Sequence, residues 1–466
     1  MSKIKAPRFM LAAPSSGSGK TMITCGILQA LARRDLNPSA FKCGPDYIDP
    51  MFHGKVMGLK SKNLDLFFSD ENQARYLMAK ESLGSKISVI EGVMGYYDGM
   101  GVADATASSY DLARKTKTPT ILILDTKGMS LSIIPMIQGF MNYQPDSNIV
   151  GVILNKMNKM LFDRMKPEIE KQLGIKAVGY VPKDDKCAVE SRHLGLVTPD
   201  EIKDIRERLD RLAVLIEECV DLDLLLEIAG KAPDLEFDEP KLPLLPGYKP
   251  REASCESTSG KVVRIALADD EAFCFNYRDN LELMESMGAE LVRFSPIRDE
   301  KLPDNIQGLI LYGGYPEVYA EQLEANTSMI NDIRSKIEEG LPYLAECGGF
   351  MYLHESMEDM NGNKHKMVGV IKGEAYKTNK LGRFGYISLK ENKPGILGLD
   401  EFRIQAHEFH YFDSTSNGED IRASKPTGNR GWDCIHATDK SLAGFPHLYY
   451  YSNPEIIYNF LRGCMK

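Results

Sequence analysis

The sequence predicts an α/β protein with two domains, a doubly wound parallel sheet followed by a second α/β domain. The first observation is length, because 466 residues suffice for two or three domains of roughly 150 residues each. The second is a regular alternation, between residues 9 and 181, of short apolar runs with amphipathic stretches. That order is typical of parallel strands joined by crossover helices. The third is a proline-rich segment, after which the alternation starts again.

The first domain is assigned to residues 1–231. Its strands are predicted at 9–13, 39–42, 87–91, 120–125, 149–154 and 177–181. Helices are predicted at 21–34 and 161–173, and the acidic stretch 199–229 is also predicted to be helical. Because the strands are apolar throughout rather than alternating, the sheet is expected to carry helices on both faces.

A linker is predicted at 232–260, because its five prolines cannot lie inside regular elements. The second domain is assigned to residues 261–466. Its strands are predicted at 262–268, 290–294, 308–311 and 342–346, and its helices at 277–287 and 327–339. No internal sequence repeat relates the two halves.

Composition excludes several classes of protein. Apolar residues make up 43% of the chain, charged residues make up 26%, and the formal net charge is -9, as is typical of a folded globular protein. No basic run could follow the phosphates of a duplex, so nucleic acid is not an expected partner. No stretch approaches the ~20 apolar residues that span a bilayer, and the N-terminus has no cleavable signal. We therefore expect no membrane association and a cytoplasmic location.

Cysteine spacing makes two further kinds of site improbable. The nine cysteines include no C-x-x-C pair, so neither a disulfide framework nor a cysteine zinc site is expected. Any special cysteine must therefore be identified by its local context.

A phosphate-binding loop is predicted between the first strand and the first helix. The run A-P-S-S-G-S-G-K-T at 13–21 combines converging backbone amides with a cation and a hydroxyl that can hold magnesium. Its binding residues are Gly17, Ser18, Gly19, Lys20 and Thr21. Pro14 stands where the full pattern requires glycine, so the loop is a variant. The predicted ligand is a nucleotide.

Acidic and polar residues follow three other strands of the first domain. Asp46 and Glu91 could complete a magnesium shell beside the loop, since parallel strands end at one edge of the sheet. Asp49 and Asp98 are interpreted as substrate contacts. The alternative for Asp46 and Asp98 is that they are ordinary turn residues. Asn155 could read a purine edge or only cap a turn.

The second domain contains a nucleophile elbow. Cys347 lies between an apolar strand and an apolar helical stretch, and two glycines follow it directly. A helix N-terminus at this point should favour the thiolate. His447 lies 100 residues later at the beginning of a predicted aromatic strand and could act as the base. Backbone amides of Gly314 and Gly348 are the predicted oxyanion donors. The alternative for both Cys347 and His447 is a small core residue.

The segment A-H-E-F-H-Y at 406–411 is similar to a metal motif but lacks the H-E-x-x-H spacing. We expect no zinc here, and a strand that faces the other domain or the substrate is the preferred interpretation.

Five motifs in order resemble the cobyrinate a,c-diamide synthase family. They are the loop at 13–21, G-P-D-Y-I-D-P at 44–50, E-G-V-M-G-Y-Y-D-G at 91–99, A-E-C-G-G at 345–349 and H-E-F-H at 407–410. The resemblance implies a P-loop domain of the dethiobiotin-synthetase type and a flavodoxin-like class I glutamine amidotransferase domain. It also implies ATP-dependent amidation of the a and c side-chain carboxylates of cobyrinate, in cobalamin biosynthesis, with Mg²⁺ as cofactor and glutamine or ammonia as nitrogen donor.

The resemblance implies roles by position. Lys20 and Lys42 would bind ATP phosphates, Thr21, Asp46 and Glu91 would bind magnesium, Asn155 would bind adenine, Cys347 would be the nucleophile and His447 its base. One position departs from the broader class I amidotransferases, because Tyr449 stands where their third catalytic residue would be. A Cys–His dyad is therefore expected, and the group that orients His447 is left unnamed.

Two alternatives stay open. Related synthases that act on hydrogenobyrinate or nickel sirohydrochlorin share these motifs, so the expected partners are cobyrinate or a related tetrapyrrole, ATP and glutamine. The first half also resembles P-loop switch ATPases, although a switch has no need of a nucleophilic thiol. The oligomeric state stays open, and a homodimer is compatible with the resemblance.

Overall fold

The computed structural model describes residues 1–184, 199–249 and 262–465. The chain divides into two compact units, Met1–Pro240 and Lys241–Lys466, and each contains a parallel sheet with helices. The predicted α/β class is therefore confirmed. No helix within the described ranges has the length and hydrophobicity that a bilayer span requires.

The first unit contains nine strands and eight helices within its described residues. The strands are β1 (Ser2–Ile4), β2 (Arg8–Ala12), β3 (Ser39–Cys43), β4 (Lys60–Leu64), β5 (Ser88–Glu91), β6 (Thr120–Asp125), β7 (Ile149–Asn155), β8 (Lys176–Val181) and β9 (Leu235–Phe237). The helices are α1 (Lys20–Arg33), α2 (Ile48–Lys55), α3 (Glu71–Ser82), α4 (Ser109–Lys115), α5 (Ile133–Tyr143), α6 (Lys159–Leu173), α7 (Pro199–Cys219) and α8 (Leu222–Gly230).

Seven parallel strands form the main sheet in the order β4-β3-β5-β2-β6-β7-β8. Strands β2, β3 and β5 are buried along their whole length, as expected for a sheet covered on both faces. The chain leaves β2 between β5 and β6, where the strand order reverses. An open α/β sheet binds its ligands at such a point.

Strand β4 was not predicted, because its sequence K-S-K-N-L has no apolar run. It lies at the sheet edge, and all of its residues except Lys60 are buried. Lys62 Nζ lies 3.2 Å from Glu81 Oε2, and both side chains are buried. A buried charge pair of this kind is tolerated because each partner satisfies the other.

The predicted linker begins inside the first unit. Strand β9 pairs antiparallel with β1, with Lys3 opposite Glu236, so the unit extends beyond residue 231. The proline-rich stretch thus contains one short regular element before Pro240. Its later part, 250–260, lies outside the described residues.

The second unit contains fifteen strands and five helices among its described residues. The strands are β10 (Val263–Ala268), β11 (Ala289–Phe294), β12 (Gly308–Leu311), β13 (Tyr343–Glu346), β14 (His354–Glu358), β15 (Lys364–Lys366), β16 (Ile371–Lys377), β17 (Phe384–Glu391), β18 (Arg403–Phe409), β19 (Phe412–Ser414), β20 (Ile421–Ser424), β21 (Gly431–Cys434), β22 (His436–Ala437), β23 (Leu442–Gly444) and β24 (His447–Leu448). The helices are α9 (Arg278–Met287), α10 (Ala320–Ala325), α11 (Thr327–Glu338), α12 (Gly348–Tyr352) and α13 (Pro454–Cys464).

Its largest sheet has the order β11-β10-β12-β13-β23-β22, parallel except for β22. Two further sheets, β15-β14-β16-β19 and β21-β20-β17-β18-β24, were not predicted. Their strands alternate between buried and exposed residues, as in β18, so they lack the continuous apolar runs that identify the parallel strands. The predicted aromatic strand at His447 is only two residues long, and a 3₁₀ helix at Tyr450–Ser452 follows it.

Candidate active sites

The phosphate loop connects β2 to α1 in the first unit. Gly17 and Gly19 have φ angles of 78° and 94°, in the left-handed region that favours glycine. A Cβ on Gly19 would lie 2.3 Å from Asn155 Nδ2, so no larger residue fits there. Asn155 donates from that nitrogen to Ser18 O at 2.8 Å. Its amide therefore supports the loop directly.

Lys20 lies within the loop and is 8% exposed. Its ammonium donates to Ser15 O at 3.1 Å and to Met94 O at 2.6 Å. Burial lowers the pKa of Lys20 to about 8, so the group remains mainly cationic at neutral pH. A phosphate that displaced these carbonyl contacts would gain a charge-assisted hydrogen bond.

Lys42 forms the centre of a buried charge cluster. Its Nζ lies 2.8 Å from Glu91 Oε1 and forms an ion pair with Asp49. Burial acts to lower the pKa of Lys42, but the charges of Glu91, Asp49 and Asp46 outweigh it and raise the pKa above its ordinary range. The lysine is therefore a fixed cation at the end of β3.

Glu91 and Thr21 fit a magnesium ion. Glu91 Oε1 accepts a hydrogen bond from Thr21 Oγ1 at 2.7 Å, whereas the buried Oε2 atom has no hydrogen-bond partner in the part of the chain that the structure describes. Burial raises the pKa of Glu91 and Lys42 opposes that shift. An unpartnered buried carboxylate oxygen beside a hydroxyl is the hard-oxygen environment that Mg²⁺ prefers.

Asp46 is placed near this cluster by a residue that sequence reasoning missed. Asn63 in β4 donates from Nδ2 to Gly44 O at 2.8 Å and to Asp46 O at 2.7 Å. Burial and then the charge of Asp49 raise the pKa of Asp46. No three His, Cys, Asp or Glu side chains form a complete metal site in the described ranges, so a cation here would also need Thr21 and nucleotide oxygens.

The two predicted substrate residues occupy different places. Asp49 is 5% exposed and faces Lys42. Asp98 is exposed, accepts a hydrogen bond from Gly95 N at 2.9 Å, and lines a cavity of about 800 Å³ with Pro14 and Tyr97. The structure therefore brings Asp49 to the predicted phosphate and metal residues, and Asp98 to a cavity beside the loop.

Cys347 lies on a sharp turn between β13 and α12 in the second unit. Its backbone angles are φ 48° and ψ -104°, a strained conformation for a residue with a side chain. Two hydrogen bonds maintain this turn, from Cys347 N to Gly444 O at 2.8 Å and from Met351 N to Cys347 O at 2.9 Å. This strand–turn–helix geometry is that of a nucleophile elbow.

His447 and Cys347 meet at Gly313. A Cβ built on Gly313 would lie 2.5 Å from His447 Cε1 and 3.3 Å from Cys347 Cβ. The two side chains therefore approach the same glycine, which leaves them room because it has no side chain. The pairing of His407 with His447 between β18 and β24 sets the position of the imidazole.

Burial opposes the resting thiolate that the sequence predicts. Burial and then the charge of Glu317 raise the pKa of the Cys347 thiol. Burial, with smaller effects of His407 and His410, lowers the pKa of His447 to about 3. The helix after Cys347 has only five residues. A neutral imidazole can accept the thiol proton.

The predicted oxyanion donors lie close together. A Cβ on Gly348 would lie 3.2 Å from Gly314 N, and the amide of Gly348 hydrogen-bonds to the Cys347 side chain. A Cβ on Gly314 would lie 2.2 Å from Ala272 O, so this glycine permits a close backbone approach.

Glu346 is a candidate orienting group that sequence reasoning missed. Its Oε2 atom lies 3.9 Å from His447 Nδ1, an ion-pair distance rather than a hydrogen bond. Tyr450 Oη donates to Glu346 Oε1 at 3.2 Å, and burial raises the pKa of Glu346 to about 8. Tyr449 instead donates to Asp279 Oδ2 at 3.4 Å. The available signal was position, because Glu346 directly precedes the nucleophile.

The H-E-F-H segment belongs largely to β18, beside these residues. His410 Nε2 lies 3.4 Å from Glu408 Oε1, and the His410 ring stacks on Phe445 at a centroid distance of 4.0 Å. Glu408 is fully buried, and its charge contributes to the raised pKa of Cys347. The segment therefore lines the thiol site.

Family models match both units. Residues 9–197 match the CobQ/CobB/MinD/ParA nucleotide binding domain, and residues 264–453 match the CobB/CobQ-like glutamine amidotransferase domain.

Individual relatives match over nearly the whole chain. Cobyrinate a,c-diamide synthase of Caldanaerobacter subterraneus subsp. tengcongensis is 37% identical over 459 residues, which cover 98% of each chain. The synthase of the same name from Fusobacterium nucleatum subsp. nucleatum is 40% identical over 454 residues, 96% of this chain and 98% of its own. A solved structure, MinD cell division protein of Aquifex aeolicus, is 14% identical with a TM-score of 0.30 and covers 48% of this chain and 95% of its own.

Proposed function

The chain belongs to the cobyrinate a,c-diamide synthase family, and from this premise we propose which residues perform each step of its chemistry. It is an ATP-dependent ligase of cobalamin biosynthesis that takes nitrogen from glutamine. One observation carries the proposal. A loop of phosphate-binding type and a cysteine–histidine pair that meets at Gly313 occur in one chain.

The first unit activates the acid. The amides of Gly17, Ser18 and Gly19, with the ammonium groups of Lys20 and Lys42, bind the phosphates of ATP. A substrate carboxylate oxygen then attacks the γ-phosphorus, the bond to the bridging oxygen of ADP breaks, and an acyl phosphate forms. Activation is needed because a carboxylate is a poor electrophile, whereas phosphate is a good leaving group. Catalysis here is mainly positioning and electrostatic stabilisation.

Thr21, Asp46 and Glu91 would hold Mg²⁺. The unpartnered Oε2 atom of Glu91 supports this assignment. When bound, the ion neutralises charge on the phosphate oxygens. Asp49 orients Lys42, and Asn155 supports the loop that receives the nucleotide and its adenine.

The second unit releases ammonia. His447 accepts the thiol proton as the sulfur of Cys347 attacks the side-chain carbonyl of glutamine, and the amides of Gly314 and Gly348 stabilise the oxyanion. His447 then returns the proton to the departing nitrogen as the carbon–nitrogen bond breaks. Water hydrolyses the thioester to glutamate. The ionised form of Glu346 would stabilise the transient imidazolium, because its Oε2 atom lies 3.9 Å from His447 Nδ1.

Ammonia completes the reaction by displacing phosphate from the acyl phosphate. The substrate that the family name supports is cobyrinate, amidated at its a and c carboxylates, and Asp98 contacts it from the cavity beside the loop. A cytoplasmic location is part of the proposal, because ATP and glutamine are metabolites of that compartment.

The decisive experiment is mass spectrometry of products after incubation with ATP, magnesium, glutamine and a panel of tetrapyrrole acids. The panel contains cobyrinate, hydrogenobyrinate and nickel sirohydrochlorin. We expect cobyrinate to gain two amide groups, with stoichiometric release of glutamate and ADP. Preferential amidation of another member would overturn the substrate assignment, and ATP hydrolysis without amide formation on any member would overturn the chemistry.

A further inference from the structure

Helix α5 of the first unit has an apolar face that is partly exposed to solvent. Met136, Gly139, Phe140 and Tyr143 recur three and four positions apart in this helix, a spacing that places them on one side. All four line the cavity of about 800 Å³ beside the phosphate loop. The buried residues of the same helix are three isoleucines, so the face that lines the cavity is additional to the face that packs into the core.

Exposed apolar side chains surround the same cavity. Met94, Val102 and Tyr143 line it and are 43%, 111% and 66% exposed. The Tyr97 ring stacks on Phe140 at a centroid distance of 5.8 Å and meets Tyr143 edge-on at 4.8 Å. Tyr97 Oη also donates to Phe140 O at 2.6 Å, which fixes the aromatic wall in place. Contiguous exposed apolar residues of this kind mark binding surfaces.

Gly139 leaves open space in this wall. It lies inside α5, where glycine is less favourable than alanine. A Cβ built on it meets no atom of the described residues within 4 Å, so packing among those residues does not require glycine. Gly95 is different, because a Cβ there would lie 2.4 Å from Asp98 Oδ2. The missing side chain at position 139 therefore points to a molecule that occupies the cavity.

The cavity adjoins the site assigned to the ATP phosphates, within the same unit. Pro14 belongs to the phosphate loop, and Met94 O accepts a hydrogen bond from Lys20 Nζ at 2.6 Å. Both Pro14 and Met94 line the cavity. A molecule in the cavity would therefore lie next to the ammonium group of Lys20. The cavity volume is also within the range of roughly 300–1,000 Å³ that small-molecule sites occupy.

The charges around the cavity favour one orientation of an acidic ligand. Asp98 and Asp104 line the cavity, and no lysine or arginine among the described residues does so. Asp98 accepts a hydrogen bond from Gly95 N at 2.9 Å, and Asp104 accepts one from Thr106 N at 2.9 Å. These two carboxylates would repel most acids of a polycarboxylate ligand. One acid directed to the loop would instead meet Lys20.

We propose that Met136, Gly139, Phe140 and Tyr143 form a platform on α5 for the macrocycle of the tetrapyrrole substrate. One apolar face of the ring packs on the platform, and the open space above Gly139 admits it. One peripheral carboxylate then reaches the phosphate loop, while the others remain in solvent. Continuity with the phosphate site and an apolar wall of this size select this occupant over a small hydrophilic acid. The inference rests on the proposed function, which supplies the class of substrate.

The test measures the KM for cobyrinate in amidation driven by ammonium salt, so that the glutaminase reaction does not contribute. Gly139→Leu should raise this KM at least about tenfold, because the added side chain overpacks the contact with the ring. The KM for ATP and the glutaminase activity should not change, and Tm should not fall, since leucine favours a helix more than glycine does. Gln138→Leu is the matched control, because position 138 is exposed and lies outside the cavity lining. It should leave the KM for cobyrinate unchanged.

Equilibrium dialysis gives a second measurement on the full chain, without turnover. The Kd for cobyrinate is followed by the visible absorption of cobyrinate itself in the absence of ATP. Tyr143→Ala should raise this Kd about threefold or more, because the ring loses an aromatic contact. Leu131→Ala is the matched control, since it removes a side chain that is 64% exposed and lies outside the cavity lining. It should leave the Kd unchanged.

An unchanged KM in Gly139→Leu, or an equal rise in Gln138→Leu, would overturn the proposal. A change in sedimentation of Gly139→Leu with an unchanged KM would identify the platform as an interface between copies and would also overturn it. If wild type amidates no tetrapyrrole, the proposed function fails. If wild type amidates cobyrinate and Gly139→Leu retains its KM, only the platform fails.

Discussion

Replacement of Gly313 by alanine tests the meeting of Cys347 and His447 with a single methyl group. The added Cβ would lie 2.5 Å from His447 Cε1, and ordinary van der Waals contact begins near 3.4 Å. The imidazole or the glycine must therefore move by about 0.9 Å, the difference between these two distances. A misplacement of about 1 Å at a reacting group costs roughly 100-fold in rate, or about 2.7 kcal/mol of transition-state free energy.

We therefore expect Gly313→Ala to lower kcat/KM for glutamine hydrolysis roughly 100-fold. Amidation with ammonium salt should be retained, because it does not use the thiol. Overpacking of this buried site should cost about 1–3 kcal/mol, a loss of a few degrees in Tm. Gly463→Ala is the control, since a Cβ there meets no atom within 4 Å. Wild-type glutaminase activity in Gly313→Ala would refute the proposed approach of the two side chains.

Further variants separate the two half-reactions and the acidic residues. Cys347→Ser should abolish glutamine-dependent amidation but retain ammonium-dependent amidation, and equal loss with both donors would contradict separate sites. Glu91→Gln should lower amidation with either nitrogen donor at least about 100-fold, because it removes a charge that stabilises the transferring phosphoryl group. Its glutaminase activity should survive. Full amidation activity of this variant at limiting magnesium would exclude Glu91 as a magnesium ligand. Asp49→Asn should raise the KM for ATP because Lys42 loses a partner, whereas Asp98→Asn should change the ratio of mono-amide to di-amide in a chromatographic time course. An unchanged ratio would remove Asp98 from the substrate site. Burial raises the pKa of Glu346 from 4.5 to about 8 in the folded state, so the folded protein binds this proton more tightly than the unfolded chain does. The resulting stabilisation is complete below pH 4.5 and is lost progressively as the pH rises to about 8. The stability of wild type relative to Glu346→Gln should thus fall between these values by up to about 1.4 kcal/mol per pH unit, and a pH-independent difference in denaturation midpoints would contradict this.

Features with a local signal could be predicted from the sequence. The strands of the parallel sheet are continuous apolar runs, and the phosphate loop has glycines where the backbone requires a positive φ, at Gly17 and Gly19. The elbow at Cys347 was recognisable because two glycines follow an apolar strand. In each case, the residues that determine the conformation are neighbours in the chain.

Features that depend on distant partners could not be predicted. Asn63 stabilises the loop that carries Asp46, but it lies in the polar strand β4. That strand is buried only because Glu81, in a distant helix, neutralises Lys62. The meeting of Cys347 and His447 at Gly313 likewise depends on three separate segments. The resting protonation of Cys347 depends on burial, which spacing does not reveal.

The raised pKa of the Cys347 thiol affects how the resting enzyme reacts with oxidants. Peroxides and general alkylating agents react with thiolates, and a protonated thiol resists them. Because burial raises the pKa of Cys347 and lowers that of His447 to about 3, oxidation of the thiol to the sulfinic state should be slow while the site is empty. The nucleophile becomes reactive only when a carbonyl group is bound beside the two amides. An electrophile shaped like glutamine should therefore inactivate the enzyme far more selectively than a small thiol reagent.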